Sequence, residues 1–347
     1  MKSLKKSIIF GIGLSIGVII LILIISMIKE GREVLLWKIN MDSLLLSVLI
    51  IFSLWFMDGL RLYTVLRFFK VKTTLFKCIR INLISLFLAS ITPFGSGGML
   101  GKIYLLSREG MTIGGGSAVV TIIYLINILF FLLASTLFII FFKNSLPQNF
   151  WWNRIFYLLI ISIGGFSFLF FIFALSPRRL LNLTEKIMKM RWARRLSEEK
   201  RKKITDRINK NIKRYHRGIT LLFKRKSLVP ILILITLGYW FIFLNLSPSI
   251  LKSLNVEFDY LRAVIAQFIF HFFVAWAGTP GGSGIAEAGY SSLFSSFVPS
   301  EKIFALTFLW RFFTYYIYLI LGGVFSIPEI KKFSLKDLTE PHHQKED

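Results

Sequence analysis

The sequence predicts an all-α polytopic membrane protein with inverted repeats, made of about six full transmembrane helices and two re-entrant helical hairpins that are broken by Pro and Gly. Three observations lead to this fold class. Of the 347 residues, 55% are hydrophobic and 18% are charged, which is too apolar for ordinary soluble cores. Several uncharged runs reach the roughly 20 helical residues that cross the hydrocarbon core of a bilayer. A short motif of Pro, Gly and Ser occurs twice, which indicates an internal repeat.

Six apolar runs are long enough to cross a bilayer, and each must be helical because lipid offers no water to backbone N–H and C=O groups. Four of them carry no charge: 8–28, 118–142, 155–175 and 228–251. The fifth, from 43 to about 66, contains Asp58 and Arg61, and the sixth, 303–327, contains Arg311. The first run follows three lysines in the manner of a signal peptide, but it is too long and no small-residue cleavage site follows it. We therefore expect it to be a retained span.

The repeated motif reads Thr-Pro-Phe-Gly-Ser-Gly at 92–97 and Thr-Pro-Gly-Gly-Ser-Gly at 279–284, so five of six positions are identical. The apolar stretches that precede the two motifs, 79–92 and 263–278, are too short for a full span. In each motif the proline breaks the helix and the glycines permit positive φ. We expect each motif to reverse the chain inside the membrane as a re-entrant hairpin, although any even number of crossings would give the same topology.

The distribution of basic residues predicts the orientation of the chain in the membrane. Residues 178–226 contain nineteen Lys and Arg against four acids, a net charge of +15, and such loops stay in the cytoplasm. With that loop inside, the N- and C-termini are also cytoplasmic, as expected for a multi-pass protein of the cytoplasmic (inner) membrane. Three crossings then separate the two motifs, so the hairpins enter from opposite sides and the repeats are inverted.

We predict a single membrane domain over 1–340, with repeat one at about 43–142, a basic amphipathic loop at 176–227, repeat two at about 228–328 and a short cytoplasmic tail at 329–347. The apolar residues of the basic loop recur at helical spacing, as expected for helices that lie on an anionic membrane face. No nucleic-acid recognition module surrounds the charge. The expected partners are therefore the membrane and its anionic or aminoacylated phospholipids, with a homo-oligomer or a separate lipid-modifying synthase as further possibilities.

Gly/Pro-broken helices at matching positions of inverted repeats indicate a transporter's central site, and helix N-termini attract phosphate. The candidate lipid-binding and translocation residues are Thr92, Pro93, Gly95, Ser96, Gly97, Gly98, Lys102, Thr279, Pro280, Gly281, Gly282, Ser283, Gly284, Glu287 and Arg311. The secondary candidates are Asp58, Arg61 and His271.

Each charged candidate has a structural alternative. Glu287 either caps its helix or meets an ammonium headgroup or a proton, and Arg311 either binds phosphate or pairs with Glu287. For Asp58 and Arg61, three apart near a helix end, a local ion pair or snorkelling to the headgroups is favoured, and snorkelling explains Lys102 as well as lipid contact does. A hydrogen-bonded core histidine is the favoured interpretation of His271.

Enzyme and metal chemistry have little support. A single cysteine, Cys78, and four histidines make a disulfide framework impossible and a metal site improbable, and we expect no cofactor. No acid, base and nucleophile constellation is visible.

At these residues the chain resembles the membrane domain of the lysyl-phosphatidylglycerol synthase family. The resemblance rests on a Gly-Leu-Arg-Leu segment at 59–62, the turn at 93–98, the basic loop, the Pro-Gly-Gly-Ser-Gly-Ile-Ala-Glu segment at 280–287, and Arg311. It implies two pseudo-symmetric halves and a role in moving an aminoacylated lipid, such as lysyl-phosphatidylglycerol, between leaflets.

The chain also departs from that family's fused enzymes. Twenty residues follow Ile327, so we expect the soluble transferase domain and phosphatidylglycerol lysyltransferase activity to be absent. The first repeat has no arginine that matches Arg311; the corresponding position is Leu125, with Asn127 nearby. Three function classes therefore remain: a lipid flippase or transporter, a membrane enzyme of lipid modification, and a regulatory or structural membrane subunit.

Overall fold

The predicted all-α fold class is confirmed by the structure, a computed structural model of the 347-residue chain. It describes residues 2–31, 38–142, 176–188, 197–225, 227–274 and 277–331, with a few isolated positions between 154 and 168. Within these ranges all regular structure is helical. The predicted span at 155–175 lies mainly outside the described residues.

The helices, numbered in chain order, are α1 (Lys2–Glu30), α2 (Met41–Phe68), α3 (Leu75–Ser90), α4 (Ser96–Arg108), α5 (Ile113–Phe142), α6 (Pro177–Met188), α7 (Glu198–Lys224), α8 (Leu228–Leu244), α9 (Leu246–Ser253), α10 (Tyr260–Val274), α11 (Ile285–Phe294), α12 (Ser300–Arg311) and α13 (Ile317–Lys331). A π-helical turn, Phe312–Tyr316, joins α12 to α13. Among the described residues, four stretches are long and apolar enough to cross a membrane: Met41–Phe68, Ile113–Leu137, Leu228–Ser253 and Ser300–Glu329.

Large apolar side chains cover the outside of these helices in stripes. On α2, Leu45, Leu49, Phe52 and Phe56 are all exposed and recur three or four residues apart. A stripe with this spacing lies on one side of a helix, and in water it would be a costly apolar patch. Lipid is the solvent that suits this surface.

Helix α2 runs from one end of the bundle to the other. At its start, the Asn40 N–H donates to the Ser253 carbonyl at 2.8 Å, and at its finish the Arg225 guanidinium lies 5.7 Å from the centre of the Phe68 ring. The end that carries the lysine- and arginine-rich helix α7 is termed the basic end, and the other the opposite end. The directions of the other helices are defined relative to these two ends.

Helix α7 packs along α5. A Cβ atom added to Gly114 would overlap the Asn211 carbonyl, and one added to Gly218 would lie 2.8 Å from the Ala118 side chain. These approaches make the C-terminal half of α7 part of the bundle. Adhesion of the basic loop to anionic lipid stays a prediction.

Ion pairs join three helix ends at the basic end. The Lys77 ammonium lies 3.1 Å from the Glu109 carboxylate, which links the start of α3 to the end of α4. The Glu329 carboxylate lies 3.1 Å from the Arg80 guanidinium and 3.8 Å from the Arg108 guanidinium. The end of α13 therefore bridges both arms of the first broken-helix segment.

The two broken-helix segments are helical hairpins. Helices α3 and α4 pack against each other across the turn Pro93–Gly95, and α10 and α11 do so across Pro280–Gly282. At 16 and 15 residues, α3 and α10 are about 24 and 22 Å long, short of a full span. In the first hairpin Gly98 permits the close approach of the arms, since an added Cβ would lie 2.9 Å from the Ser85 carbonyl oxygen.

The hairpins start from opposite ends of the bundle. Helix α3 begins at the basic end, directly after α2 finishes there. Helix α10 begins at the opposite end, five residues after Asn255, whose side-chain amide donates to the Lys38 carbonyl at 2.7 Å. The two turns touch each other inside the bundle. The helix directions are therefore those of inverted repeats, whereas the assignment of either end to the cytoplasm stays a prediction.

Candidate functional site

The two repeated motifs begin with the same backbone conformation. Phe94 (φ 54°, ψ 18°) and Gly281 (φ 59°, ψ 20°) occupy matching positions, and both are left-handed. The next residues, Gly95 (φ 63°) and Gly282 (φ 68°), are left-handed as well. The internal repeat read from the sequence is thus a structural repeat.

The motifs diverge at the serine. Ser96 is helical (φ −58°, ψ −33°) and starts α4, whereas Ser283 is extended (φ −56°, ψ 138°) and is followed by Gly284 at φ 83°. Helix α11 therefore begins only at Ile285. The Thr279 hydroxyl donates to the Ser283 carbonyl at 2.8 Å and closes this wider turn.

Side-chain hydroxyl groups make the hydrogen bonds that hold the first turn. The Gly97 N–H donates to the Thr92 hydroxyl oxygen at 2.8 Å, and that hydroxyl donates to the Leu88 carbonyl at 2.8 Å. The Ser96 hydroxyl donates to the Pro93 carbonyl at 3.0 Å. This turn is held without charge.

A buried ion pair holds the second turn. Glu287 Oε1 lies 2.7 Å from Arg311 Nε, and the two side chains are 0% and 3% exposed. Glu287 Oε2 accepts from the Gly284 N–H at 2.6 Å, while Arg311 Nη2 donates to the Gly281 carbonyl at 2.9 Å and to Ser283 Oγ at 3.1 Å. The capping and pairing alternatives from the sequence are both present, and a direct part in lipid binding stays a prediction.

The turns interlock where they meet. A Cβ added to Gly281 of the second turn would overlap the Tyr315 ring and lie 2.7 Å from the Ser90 carbonyl oxygen of the first hairpin. The Phe94 ring of the first turn lies against Gly278 of the second hairpin. The absence of a side chain at these glycines is what lets the two broken helices touch.

A second charged network lies at mid-depth on α2. Arg61 Nη2 donates to Asp58 Oδ1 at 2.5 Å, so the local ion pair expected from the sequence is present. Asp58 precedes the end of α2, Phe68, by ten residues, about 15 Å of helix, and Arg61 is only 4% exposed. Of the two alternatives from the sequence, the structure has the ion pair, and the Arg61 guanidinium is buried inside the bundle.

Arg61 also joins three helices. Its Nη1 donates to Asn127 Oδ1 on α5 at 3.1 Å, and its guanidinium carbon lies 4.3 Å from the centre of the Tyr239 ring on α8. Trp240 Nε1 donates to the same Asn127 oxygen at 2.9 Å. Two residues of this network were not predicted from the sequence: Tyr239, which contacts the cation, and Trp240, which shares the Asn127 oxygen with it. Their only signal was their place in an apolar helix.

The second network carries a net positive charge. Lys102 on α4 lies within coulombic reach of Asp58 and Arg61, and no ion pair joins it to an acid among the described residues. Arg61 Nε is buried without a hydrogen-bond acceptor in the same part of the chain. One carboxylate faces two basic side chains, a formal sum of +1 when both are protonated, and an unused N–H remains.

A small cavity with a mixed polar and apolar lining adjoins Asp58. Its volume is about 30 Å³, and it lies between α2, α3, α8 and α13. Its polar lining includes Asp58, Asn82, Tyr239 and Tyr318. Asn82 is 3% exposed, and neither its amide nitrogen nor its oxygen has a partner among the described residues. Such buried, unsatisfied groups are rare and call for a bound partner.

Comparison with known proteins places this fold in a family. The family model of the lysylphosphatidylglycerol synthase TM region matches residues 8–322. The chain belongs to this family. A curated relative, the UPF0104 membrane protein of Archaeoglobus fulgidus, is 26% identical over 315 residues, which cover 89% of this chain and 94% of the relative. No solved structure matches the chain significantly.

In this family member, the predicted site residues fall into two groups and one outlier. The motif residues join Glu287 and Arg311 in the first group, and Asp58, Arg61 and Lys102 form the second. His271 belongs to neither: its ring is stacked on Phe131 at 5.3 Å and meets Trp240 edge-on at 4.7 Å. Aromatic side chains pack around this histidine, and the expected hydrogen bond stays a prediction.

Proposed function

We propose that this protein is a lipid flippase that moves a phospholipid with an anionic or aminoacylated headgroup between leaflets. The supporting observation is the cluster of Asp58, Arg61 and Lys102, in which Arg61 is buried and Asp58 and Lys102 are partly buried, with its formal charge of +1 and its unused Arg61 Nε–H. A phosphate is the group that satisfies both, because it accepts charge-assisted hydrogen bonds from a guanidinium and an ammonium. Its charge also offsets the excess positive charge at membrane depth.

The broken helices support transport over a purely structural role. Irregular backbone at membrane depth is tolerated where protein or water surrounds it, and in transporters such segments lie at the central site. In this proposal the turns Thr92–Gly98 and Thr279–Gly284 bound the lipid route, and Glu287 and Arg311 keep the second turn in shape. The family name supports lysylated lipid as one substrate to test, beside unmodified phosphatidylglycerol.

The test is a leaflet-exchange assay with purified protein in vesicles. The tail-labelled probes are phosphatidylglycerol, lysyl-phosphatidylglycerol and phosphatidylcholine, and exchange is measured by quenching of the outer leaflet. We expect Arg61→Gln and Lys102→Gln to slow exchange about tenfold or more, as the loss of one charge-assisted hydrogen bond predicts. Arg67→Gln is the matched control, because Arg67 is exposed on the same helix.

Thermal unfolding of each variant in detergent must first show that it is folded. Equal rates in protein-free and protein-bearing vesicles for all three lipids would overturn the proposal. Equal slowing by Arg61→Gln and Arg67→Gln would keep transport and remove the assigned site.

A further inference from the structure

Asp58 occupies the place that an incoming anion needs. Its Oδ1 accepts from Arg61 at 2.5 Å, so in the absence of a substrate this carboxylate neutralises the guanidinium. The Asp58 side chain is 19% exposed, compared with 0% for Glu287 in the sealed pair. A phosphate at Arg61 and Lys102 would put two anions beside the same cations. Two anions that share one site do not both keep their charge at low cost.

The cavity next to Asp58 has room for a proton carrier. Its volume of about 30 Å³ holds one water molecule, which needs a polar site with two to four partners. Asn82 supplies a donor and an acceptor that no described residue uses, and Tyr239 and Tyr318 are among the residues that line the same space. A water molecule there would contact both the unsatisfied amide and the carboxylate.

We propose that Asp58 is an internal counter-anion that an anionic headgroup displaces from Arg61, and that the displaced carboxylate then takes up one proton from solvent, relayed through water in the cavity beside Asn82. The step converts a carboxylate and a proton from solvent into a carboxylic acid, with no other bond made or broken. The inference rests on the proposed function, since it assigns a proton to each anionic lipid bound. It adds a proton-coupled step to the transport cycle.

The titratable groups that face Asp58 determine which side chains could accept the proton that is taken up. Arg61 comes from α2, Lys102 from α4, Tyr124 from α5, Tyr239 from α8 and Tyr318 from α13. Arginine stays charged in proteins and phenols stay protonated near neutral pH. Lys102 is therefore the competing acceptor, and the experiment has to separate it from Asp58.

Linkage fixes the direction of the pH dependence. If the bound state holds one more proton than the free state, then affinity for the lipid rises as the pH falls. The limit is about a tenfold change in affinity per pH unit for one proton. The phosphodiester itself is ionised throughout the range, so it contributes no slope.

The experiment uses the purified full-length chain in detergent and short-chain phosphatidylglycerol as the probe. Binding is measured between pH 5.5 and 8.5, and proton uptake is read with a pH indicator in weak buffer. We expect the wild type to approach one proton per bound lipid and to lose affinity as the pH rises. Asp58→Asn is expected to bind at least as tightly at high pH, with a flat pH profile and no uptake.

Two further variants complete the design. Lys102→Gln is expected to bind more weakly yet to keep its uptake per bound lipid. Asp42→Asn, an exposed acid on the same helix, is expected to match the wild type throughout. Glycerophosphoglycerol, a phosphodiester without acyl chains, is the second probe; it separates a lipid site, where only the lipid elicits uptake, from a general phosphodiester site, where both do, and either result supports the counter-anion.

Lipid binding by the wild type without proton uptake would overturn the inference and leave the proposed function intact. Uptake that survives in Asp58→Asn and vanishes in Lys102→Gln would also overturn it, since the lysine would then hold the proton. The absence of any lipid binding would remove the inference together with the proposed site. The wild-type measurement decides the first and third outcomes even if a variant fails to fold.

Discussion

The two halves of the molecule support the same break in a membrane helix with different chemistry. In the first turn a hydroxyl, Thr92 Oγ1, caps the Gly97 N–H at 2.8 Å. In the second turn a carboxylate, Glu287 Oε2, caps the matching Gly284 N–H at 2.6 Å. The position that corresponds to Glu287 in the first half is Leu100, which is 68% exposed. One turn is neutral, and the other is charged and buried.

This difference decides where charge remains available. The Glu287 carboxylate and the Arg311 guanidinium neutralise each other at 2.7 Å. Both side chains also hydrogen-bond to residues of the second turn. In the first half the charges lie off the turn, on α2 and α4, and two cations face one acid. The second half thus provides a fixed frame, and the first half provides the candidate binding chemistry. Pseudo-symmetry of the backbone does not extend to symmetry of charge.

Breaking the buried Glu287–Arg311 ion pair should have the largest effect on stability. Arg311→Ala leaves the Glu287 carboxylate buried without its cation, and the loss of one partner from such a pair costs about 3–5 kcal/mol of unfolding free energy. The measurement is denaturant or thermal unfolding of the purified protein in detergent. Arg262→Ala is the control, because Arg262 is exposed and donates to the Ser296 carbonyl at 3.2 Å. Similar losses in the two variants would contradict the sealed character of the Glu287–Arg311 pair.

A substitution at the contact between the two turns should have the second-largest effect on stability. Gly281→Ala adds a Cβ at a left-handed residue, which costs about 1–2 kcal/mol, and overlap with the Tyr315 ring and the Ser90 carbonyl adds about 1–3 kcal/mol. Phe94→Ala at the matching position keeps a side chain where one is already tolerated, so we expect a loss of about 1 kcal/mol or less. Unfolding free energies of the two variants give the comparison. A loss in Gly281→Ala no larger than that in Phe94→Ala would contradict the tight contact between the turns.

The architecture could be predicted from sequence because its determinants are local. Proline and glycine at fixed offsets specify a broken helix wherever they occur, and the Pro280–Gly282 turn adopts the positive φ values that its glycines allow. The opposite directions of the hairpins followed from charge and from counting helices. The left-handed Phe94 was not predicted, because residues other than glycine rarely adopt a positive φ.

The candidate site was harder to predict because it is assembled across helices. The spacing of Asp58 and Arg61 predicted their ion pair but not the burial of the guanidinium between helices. Asn127 and Tyr239, which contact Arg61, come from helices distant in sequence. A single sequence also leaves the alternatives for Glu287 open, since capping and ion pairing use the same carboxylate.

The smallest expected effects come from substitutions that compare the hydroxyl cap of the first turn with the carboxylate cap of the second. Thr92→Val keeps the shape of the side chain but leaves the Gly97 N–H without its acceptor, which costs about 1 kcal/mol, the usual value for a lost N-terminal cap. Thr279→Val removes only a hydroxyl that donates to the Ser283 carbonyl, and Glu287 still caps Gly284, so we expect a smaller loss of about 0.5 kcal/mol. Thermal unfolding in detergent measures both losses. If Thr279→Val proves the costlier change, the second turn depends on its threonine rather than on its carboxylate, and the contrast between a neutral and a charged cap fails.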